Sequence, residues 1–191
     1  MTEPFSEPGD PIPALGRIDA SWRGDYIVAA TKDERDDLAA GIVVGDEARC
    51  VFCRILRAHT DGASTDEQSL IVFRGETCVA ILNKYPYSSG HMMVIPLRHV
   101  GELGELNAAE HAELWSVVTH STEVIERAYH ADGINLGANL GRAAGAGIPG
   151  HLHVHLVPRW NGDTNFMTVI GETRVVPEAL DTTWAKLRAA W

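Results

Sequence analysis

The sequence predicts an α+β fold: an antiparallel sheet of about five strands, one long helix across a face and a further helix at the C-terminus. Three observations carry this expectation. Residues His151-Leu152-His153-Val154-His155-Leu156 alternate polar and apolar without a break, the period of a half-buried strand. Leu114, Val117, Val118, Val124, Ile125 and Ala128 fall on one apolar stripe of a single helix. Short apolar runs such as Leu70-Ile71-Val72-Phe73 and Cys78-Val79-Ala80-Ile81-Leu82 are bounded by turn-compatible residues.

In chain order, residues 1–46 read as an N-terminal arm, partly mobile, and residues 47–191 as the domain. The first stretch is proline-rich, whereas Trp22, Tyr26 and Ile27-Val28-Ala29-Ala30 give the rest of the arm some ordered character. Arg74-Gly75-Glu76-Thr77 suits a hairpin turn between the first two strands. Tyr85 to Gly90 reads as a loop, and His91 to Ile95 as the third strand. Asn107, with Glu110 three residues on, marks a capping-box start to the long helix. Ile134 to Ala138 is a further strand, followed by the glycine-rich stretch 141–150 and then the histidine row. Asn165 to Ile170 reads as a strand. Pro177 to Trp191 reads as a helix with Pro177 in its first turn and Leu180, Trp184 and Leu187 on one side.

Composition narrows the functional classes. A formal net charge of −10 lacks the basic surface that general nucleic-acid binding needs. It also repels a free polyphosphate, so a phosphate site would need local compensation from amides, arginines or a metal carried by the substrate. No window approaches the eighteen or more uninterrupted apolar residues of a membrane span. Three cysteines, two of them as Cys50-Val51-Phe52-Cys53, suit a reducing compartment, and the cytoplasm is the expected location.

The histidine row carries the chemistry. At about 3.3 Å per residue, His151 and His155 stand roughly 13 Å apart at their backbones. Metal–nitrogen bonds are only about 2.1 Å long, so one ion cannot take all three. The row must divide its labour, and its central imidazole is a candidate nucleophile or general base. A metal-binding pair with a spare, or a polar row on an exposed strand, would use the same residues. Cys50 and Cys53 by themselves fit either a zinc knuckle or buried reduced thiols, with no thioredoxin-like context for a redox pair. Lone Cys78 lies in a strand pattern and reads as core.

The row His-apolar-His-apolar-His-apolar-apolar resembles the signature of the histidine triad proteins, which act on nucleotide phosphates. The likeness extends to Leu82-Asn83-Lys84-Tyr85-Pro86-Tyr87, Gly90-His91-Met92-Met93-Val94-Ile95-Pro96, Gly133-Ile134-Asn135-Leu136-Gly137-Ala138-Asn139, Pro158-Arg159-Trp160 and Gly162-Asp163-Thr164-Asn165-Phe166. It covers roughly residues 48 to 191 and is nearest to the bacterial branch that cleaves diadenosine polyphosphates.

The resemblance implies roles for individual residues. His153 would attack the α-phosphorus and carry a nucleotidyl-imidazole, His151 would fix the site and His155 would face the leaving phosphate. Val51, Phe52 and Ile55 would cover the nucleoside base, although Phe52 and Ile55 suit the core as well. Asn83 would hold the ribose hydroxyls. Phosphate contacts would come from Asn139, with Arg142 able to help, and from backbone amides at Gly145, Gly147 and Ile148, since the Gln and Ser or Thr common in relatives are absent here. Trp160 and the terminal aromatics could stack on a second base, and Trp191 could seal a dimer interface. Cys50, Cys53, His99 and His151 would form a structural zinc site. His91 could join the network around the triad.

The expected activity is cleavage of dinucleoside polyphosphates such as diadenosine tetraphosphate, with inorganic phosphate as the favoured acceptor and magnesium arriving with the nucleotide. A homodimer is the expected assembly, because triad proteins usually pair into one continuous sheet. Hydrolysis of the same substrate, nucleoside phosphoramidate hydrolysis, a metal-dependent enzyme using a His-x-His pair, and a catalytically idle nucleotide-binding protein remain open at this point.

Overall fold

The computed structural model describes residues 47–163 and 178–191. The N-terminal arm and the strand expected at 165–170 lie outside the described residues, as does Pro177.

The expected fold class holds. Its elements are α1 (Val51–Thr60), β1 (Ile71–Arg74), β2 (Cys78–Leu82), β3 (Met92–Pro96), α2 (Ala108–Tyr129), β4 (Gly133–Gly137), β5 (Val154–Arg159) and α3 (Leu180–Ala190). The strands form one sheet in the order β1-β2-β3-β5-β4, every neighbouring pair antiparallel. Helix α1 was not anticipated, because its ten residues mix charged and apolar types too briefly to show a long stripe.

The sheet has two differently used faces. Helix α2 lays Leu114, Val117, Val118, Val124 and Ile125 on Val72, Cys78, Ala80, Leu82, Met92, Val94, Leu152, Val154 and Leu156, forming the larger core. On the opposite face α1 sets Phe52, Cys53 and Leu56 against Ile71, Val79, Ile81, Met93 and Ile95. This second layer is smaller and covers one end of the sheet. The histidine row lies on that side.

The predicted cap starts α2. Asn107 Oδ1 accepts from the backbone N–H groups of Ala109 and Glu110, and the Glu110 carboxylate accepts from the Asn107 N–H. Such a box satisfies donors that the first helical turn leaves without partners, a contribution of about 1 kcal/mol. Glu110 also accepts two hydrogen bonds from Arg98, tying the helix to the segment after β3.

The sheet's two edges differ. Across β1, Trp184 Nε1 donates to the carbonyl of Ile71 at 2.8 Å and Arg188 donates to that of Val72. Trp191 stacks on Phe73 with ring centroids 4.6 Å apart. The terminal tryptophan thus packs on a side chain of this chain's own first strand. At the other edge, β4 is exposed along most of its length.

Candidate active site and metal centre

The alternation at 151–156 is not one unbroken strand. Ladder pairing of β5 with β3 begins at Val154, opposite Val94, and leaves His151 and His153 just ahead of it. Two features account for this. Pro96 ends β3 and has no N–H to extend the ladder. The Leu152 N–H instead donates to the Val100 carbonyl at 2.6 Å. The chain therefore bends at His151, whose Nδ1 faces Cys50 and Cys53.

That turn takes His151 into a cluster with Cys50, Cys53 and His99. One ligand atom from each lies within 4.8 Å of all the others. Cys50 Sγ is 3.3 Å and Cys53 Sγ 3.5 Å from His151 Nδ1, and Cys53 Sγ is 3.3 Å from His99 Nδ1. A tetrahedral ion with bonds of about 2.3 Å to sulfur and about 2.0–2.1 Å to nitrogen sets sulfur–nitrogen separations near about 3.6 Å. The fit is close. Two sulfurs and two imidazoles, with no fifth group needed, make a closed set.

Burial, followed by the neighbouring Cys50, pushes the Cys53 thiol up to about 12. The Cys53 thiolate is thus disfavoured there in the absence of a cation. Burial is also the chief reason that His151 is drawn down to about 4. A neutral imidazole is the form that ligates a metal. His151 Nε2 lies 2.8 Å from the Pro96 carbonyl, so its proton sits on Nε2 and the Nδ1 lone pair points into the cluster.

The second histidine is fixed by the first. His153 Nδ1 is 2.8 Å from the main-chain oxygen of His151, a carbonyl that can only accept. The proton is therefore on Nδ1, leaving the lone pair on Nε2. Burial lowers the pKa of His153, opposed by that same hydrogen bond. A neutral imidazole of this tautomer is a nucleophile.

The third histidine answers to His91. The Tyr87 N–H donates to His91 Nδ1 at 3.1 Å, so a neutral His91 carries its proton on Nε2. His91 Nε2 is 3.0 Å from His155 Nδ1 and donates to it, which assigns the His155 proton to Nε2. Tyr87 lies alongside, its ring centroid 4.8 Å from that of His91 and 6.3 Å from that of His155. The row thus presents a lone pair at His153 and an N–H at His155, with ring centroids 5.0 Å apart. Nucleophile and proton donor side by side can divide a displacement at phosphorus between them.

The other expected site residues are placed as follows. Phe52 is buried between His151 and His153, at 5.4 and 5.5 Å between ring centroids, so it supports the row directly. Val51, Ile55 and Ile148 are half-buried at the margin of the smaller core. Asn83 follows β2 with its Oδ1 accepting from the Tyr85 N–H, which leaves the amide hydrogens to donate elsewhere. Asn139 is half-buried beside the glycine-rich loop and donates to the Gly145 carbonyl at 3.5 Å. Gly145, at φ +86°, and Gly147 are exposed on that loop. Trp160 is not brought to the row. Its ring meets Tyr129 of α2 at 6.4 Å, on the helix side of the sheet.

Two participants escaped the sequence reading. Tyr87 carried a signal, an aromatic four residues before His91 in a loop. The Pro96 carbonyl carried none, because a backbone acceptor has no residue type.

Comparison with known proteins agrees with the geometry. The HIT domain model matches residues 64–162, just over half of the chain. The chain belongs to the HIT domain family. Within that family it is 46% identical over 127 residues to an AP-4-A phosphorylase of Mycobacterium tuberculosis, covering 66% of this chain and 65% of the relative. The matched part is thus a little under two thirds of that relative's length. A bis(5'-nucleosyl)-tetraphosphatase [asymmetrical] of Schizosaccharomyces pombe is 36% identical over 95 residues, half of this chain and 52% of the relative. Among solved structures, a zinc-bound histidine triad family protein of Mycobacterium smegmatis superposes with a TM-score of 0.59 at 30% identity. That match covers 75% of this chain and 94% of the other.

Proposed function

We propose that this HIT protein cleaves dinucleoside polyphosphates, diadenosine tetraphosphate among them, through a nucleotidyl-histidine on His153, with inorganic phosphate as acceptor. The observation that carries this reading is the tautomer of His153, whose Nδ1–H is committed to the His151 carbonyl and whose lone pair is therefore on Nε2. Similarity to the AP-4-A phosphorylase supports the substrate class and the acceptor.

In the first step His153 Nε2 attacks the α-phosphorus. The bond from that phosphorus to the bridging oxygen breaks, its electron pair leaves with ATP, and the N–H of His155 protonates the departing oxygen. In the second step a phosphate oxygen attacks the same phosphorus and the imidazole leaves, giving ADP. Backbone amides at Gly145, Gly147 and Ile148, with Asn139, are assigned to the phosphates. Val51, Phe52 and Ile55 are assigned to the base and Asn83 to the ribose. Magnesium travelling with the nucleotide offsets part of the charge that a −10 chain would otherwise repel.

Cys50, Cys53, His99 and His151 would hold a zinc ion, which supplies structural cross-linking of α1 to the start of the histidine row and takes no part in the displacement. The exposed β4 edge, opposite an edge already closed by α3, is where a second copy would pair to extend the sheet.

The test is diadenosine tetraphosphate incubated with and without phosphate. Phosphorolysis gives ADP and ATP; hydrolysis gives AMP and ATP. A rate and product set indifferent to phosphate would replace this reading with the hydrolase one.

A further inference from the structure

Strand β4 carries little side-chain bulk on its histidine side. Its pairing with β5 sets Gly133 opposite Arg159, Asn135 opposite Val157 and Gly137 opposite His155. Residues directly opposite in an antiparallel pair project from the same face. On the histidine side β4 therefore contributes Gly, Asn and Gly, while Ile134 and Leu136 project to the other side.

Glycines are the first and last residues of this five-residue strand. The usual reasons for glycine are missing. Neither Gly133 nor Gly137 has a positive φ. A Cβ on either would meet nothing within 4 Å among the described residues. Neither a turn nor close packing within the described chain requires them. At the two ends of β4 they leave the backbone on the histidine side with no Cβ over it.

The space above these glycines adjoins His155. From His155 to Arg159 it runs roughly 13 Å along the sheet. Arg159 is held by two hydrogen bonds to Asp163, each 2.6 Å, and donates to Asn135 Oδ1 at 3.0 Å. That contact fixes the Asn135 amide with its oxygen engaged and its N–H groups as the remaining polar function. Among the described residues the result is a face with no side chain at one end, a fixed amide in the middle and the Asp163-paired guanidinium of Arg159 at the far end. It begins at the histidine assigned to the leaving group.

We propose that the Gly133–Asn135–Gly137 face of β4 is a binding track for the leaving half of the substrate, and that Gly137 selects for a large nucleotidyl leaving group over a small one. The proposal rests on the dinucleotide reading above and adds the direction in which the second nucleotide lies. Asn135 donates to it, and the bare backbone at Gly137 lets it pass His155 without a clash.

The experiment compares two substrates sharing the AMP moiety: diadenosine tetraphosphate, and adenosine 5'-phosphoramidate, whose leaving group is ammonia. In Gly137→Val the ratio of kcat/KM for the first over the second should fall at least tenfold. Asn135→Ala, which leaves the strand backbone unaltered, should lower the same ratio several-fold through KM for the dinucleotide. Equal losses on both substrates, or no loss, would overturn the track while leaving the dinucleotide reading intact. A fall in particle mass on size exclusion of Gly137→Val would also overturn it, since the space would then belong to a second copy. Wild-type protein inactive on both substrates would remove the functional reading and the track with it.

Discussion

The side chain of His153 is oriented by the backbone of His151: Nδ1–H donates to the carbonyl two residues earlier at 2.8 Å. The same His151 directs its own Nδ1 toward Cys50 and Cys53 and its Nε2–H to Pro96. One residue thus joins the metal-type cluster, the end of β3 and the tautomer of the candidate nucleophile. The predictions about chemistry follow from that junction.

Replacing His153 removes the lone pair that the proposed covalent step uses. His153→Ala should lower kcat at least about a thousandfold while nucleotide affinity changes little. Rapid-quench kinetics alongside calorimetric titration of the nucleotide separates the two effects. Near-normal turnover in this variant would end the covalent mechanism.

The four-residue cluster predicts one zinc per chain. Cys53→Ser should lose metal and melting temperature together, because ion binding to a site absent from the unfolded chain is folding free energy. Metal analysis and thermal melts on the same samples check this. Freshly purified wild-type protein free of zinc would refute it.

His91 is placed to act through His155. Its Nε2–H, 3.0 Å from His155 Nδ1, assigns the third histidine's proton to the ring nitrogen that serves the leaving group in the proposed reaction. His91→Ala should therefore lower kcat roughly ten- to a hundredfold with little change in KM. A substrate whose leaving group needs no proton should be far less affected. Equal loss for both kinds of substrate would mean that His91 only supports the loop.

Glu110 sets an acid limit on stability. Hydrogen bonds from Arg98, then from the Asn107 N–H, hold its carboxyl at about 2, below the ordinary value of 4.5. A carboxylate depressed in the folded state contributes stability that is fully present above the unfolded pKa. That contribution is lost as pH falls from about 4.5 toward 2. Glu110→Gln should flatten the dependence of melting temperature on pH in this window. It should also melt lower than wild type at pH 7. A wild-type slope retained in the variant would assign the acid sensitivity elsewhere.

The exposed β4 edge predicts self-association. Leu136, half-exposed on the face away from the histidines, is a single side chain through which to test it. Leu136→Asp should shift the particle mass by light scattering from that of a dimer toward that of a monomer. A wild-type mass of one chain would dismiss the dimer.

What this sequence determined by itself is what depends on neighbours along the chain. The stripe from Leu114 to Ala128 and the Asn107–Glu110 box specify α2, because helical partners are three or four residues apart. The short apolar runs specify the strands to within a residue or two, and the alternation around His153 marks where the proposed chemistry lies. Relations across the chain belong to the tertiary structure. Cys50 and His151 are 101 residues apart in sequence, and only the packing of α1 on the sheet brings their ligand atoms to 3.3 Å. Local pattern alone left Cys50 and Cys53 as either a knuckle or two buried thiols. Register decided the rest. Strict alternation promised an unbroken strand, but the proline ending β3 halted the ladder at Val154 and turned His151 toward the cysteines. Gly137 read as an ordinary strand residue until pairing set it opposite His155. Hydrogen bonds between strands fix which side chains share a face, and no short-range pattern in one strand records its partner.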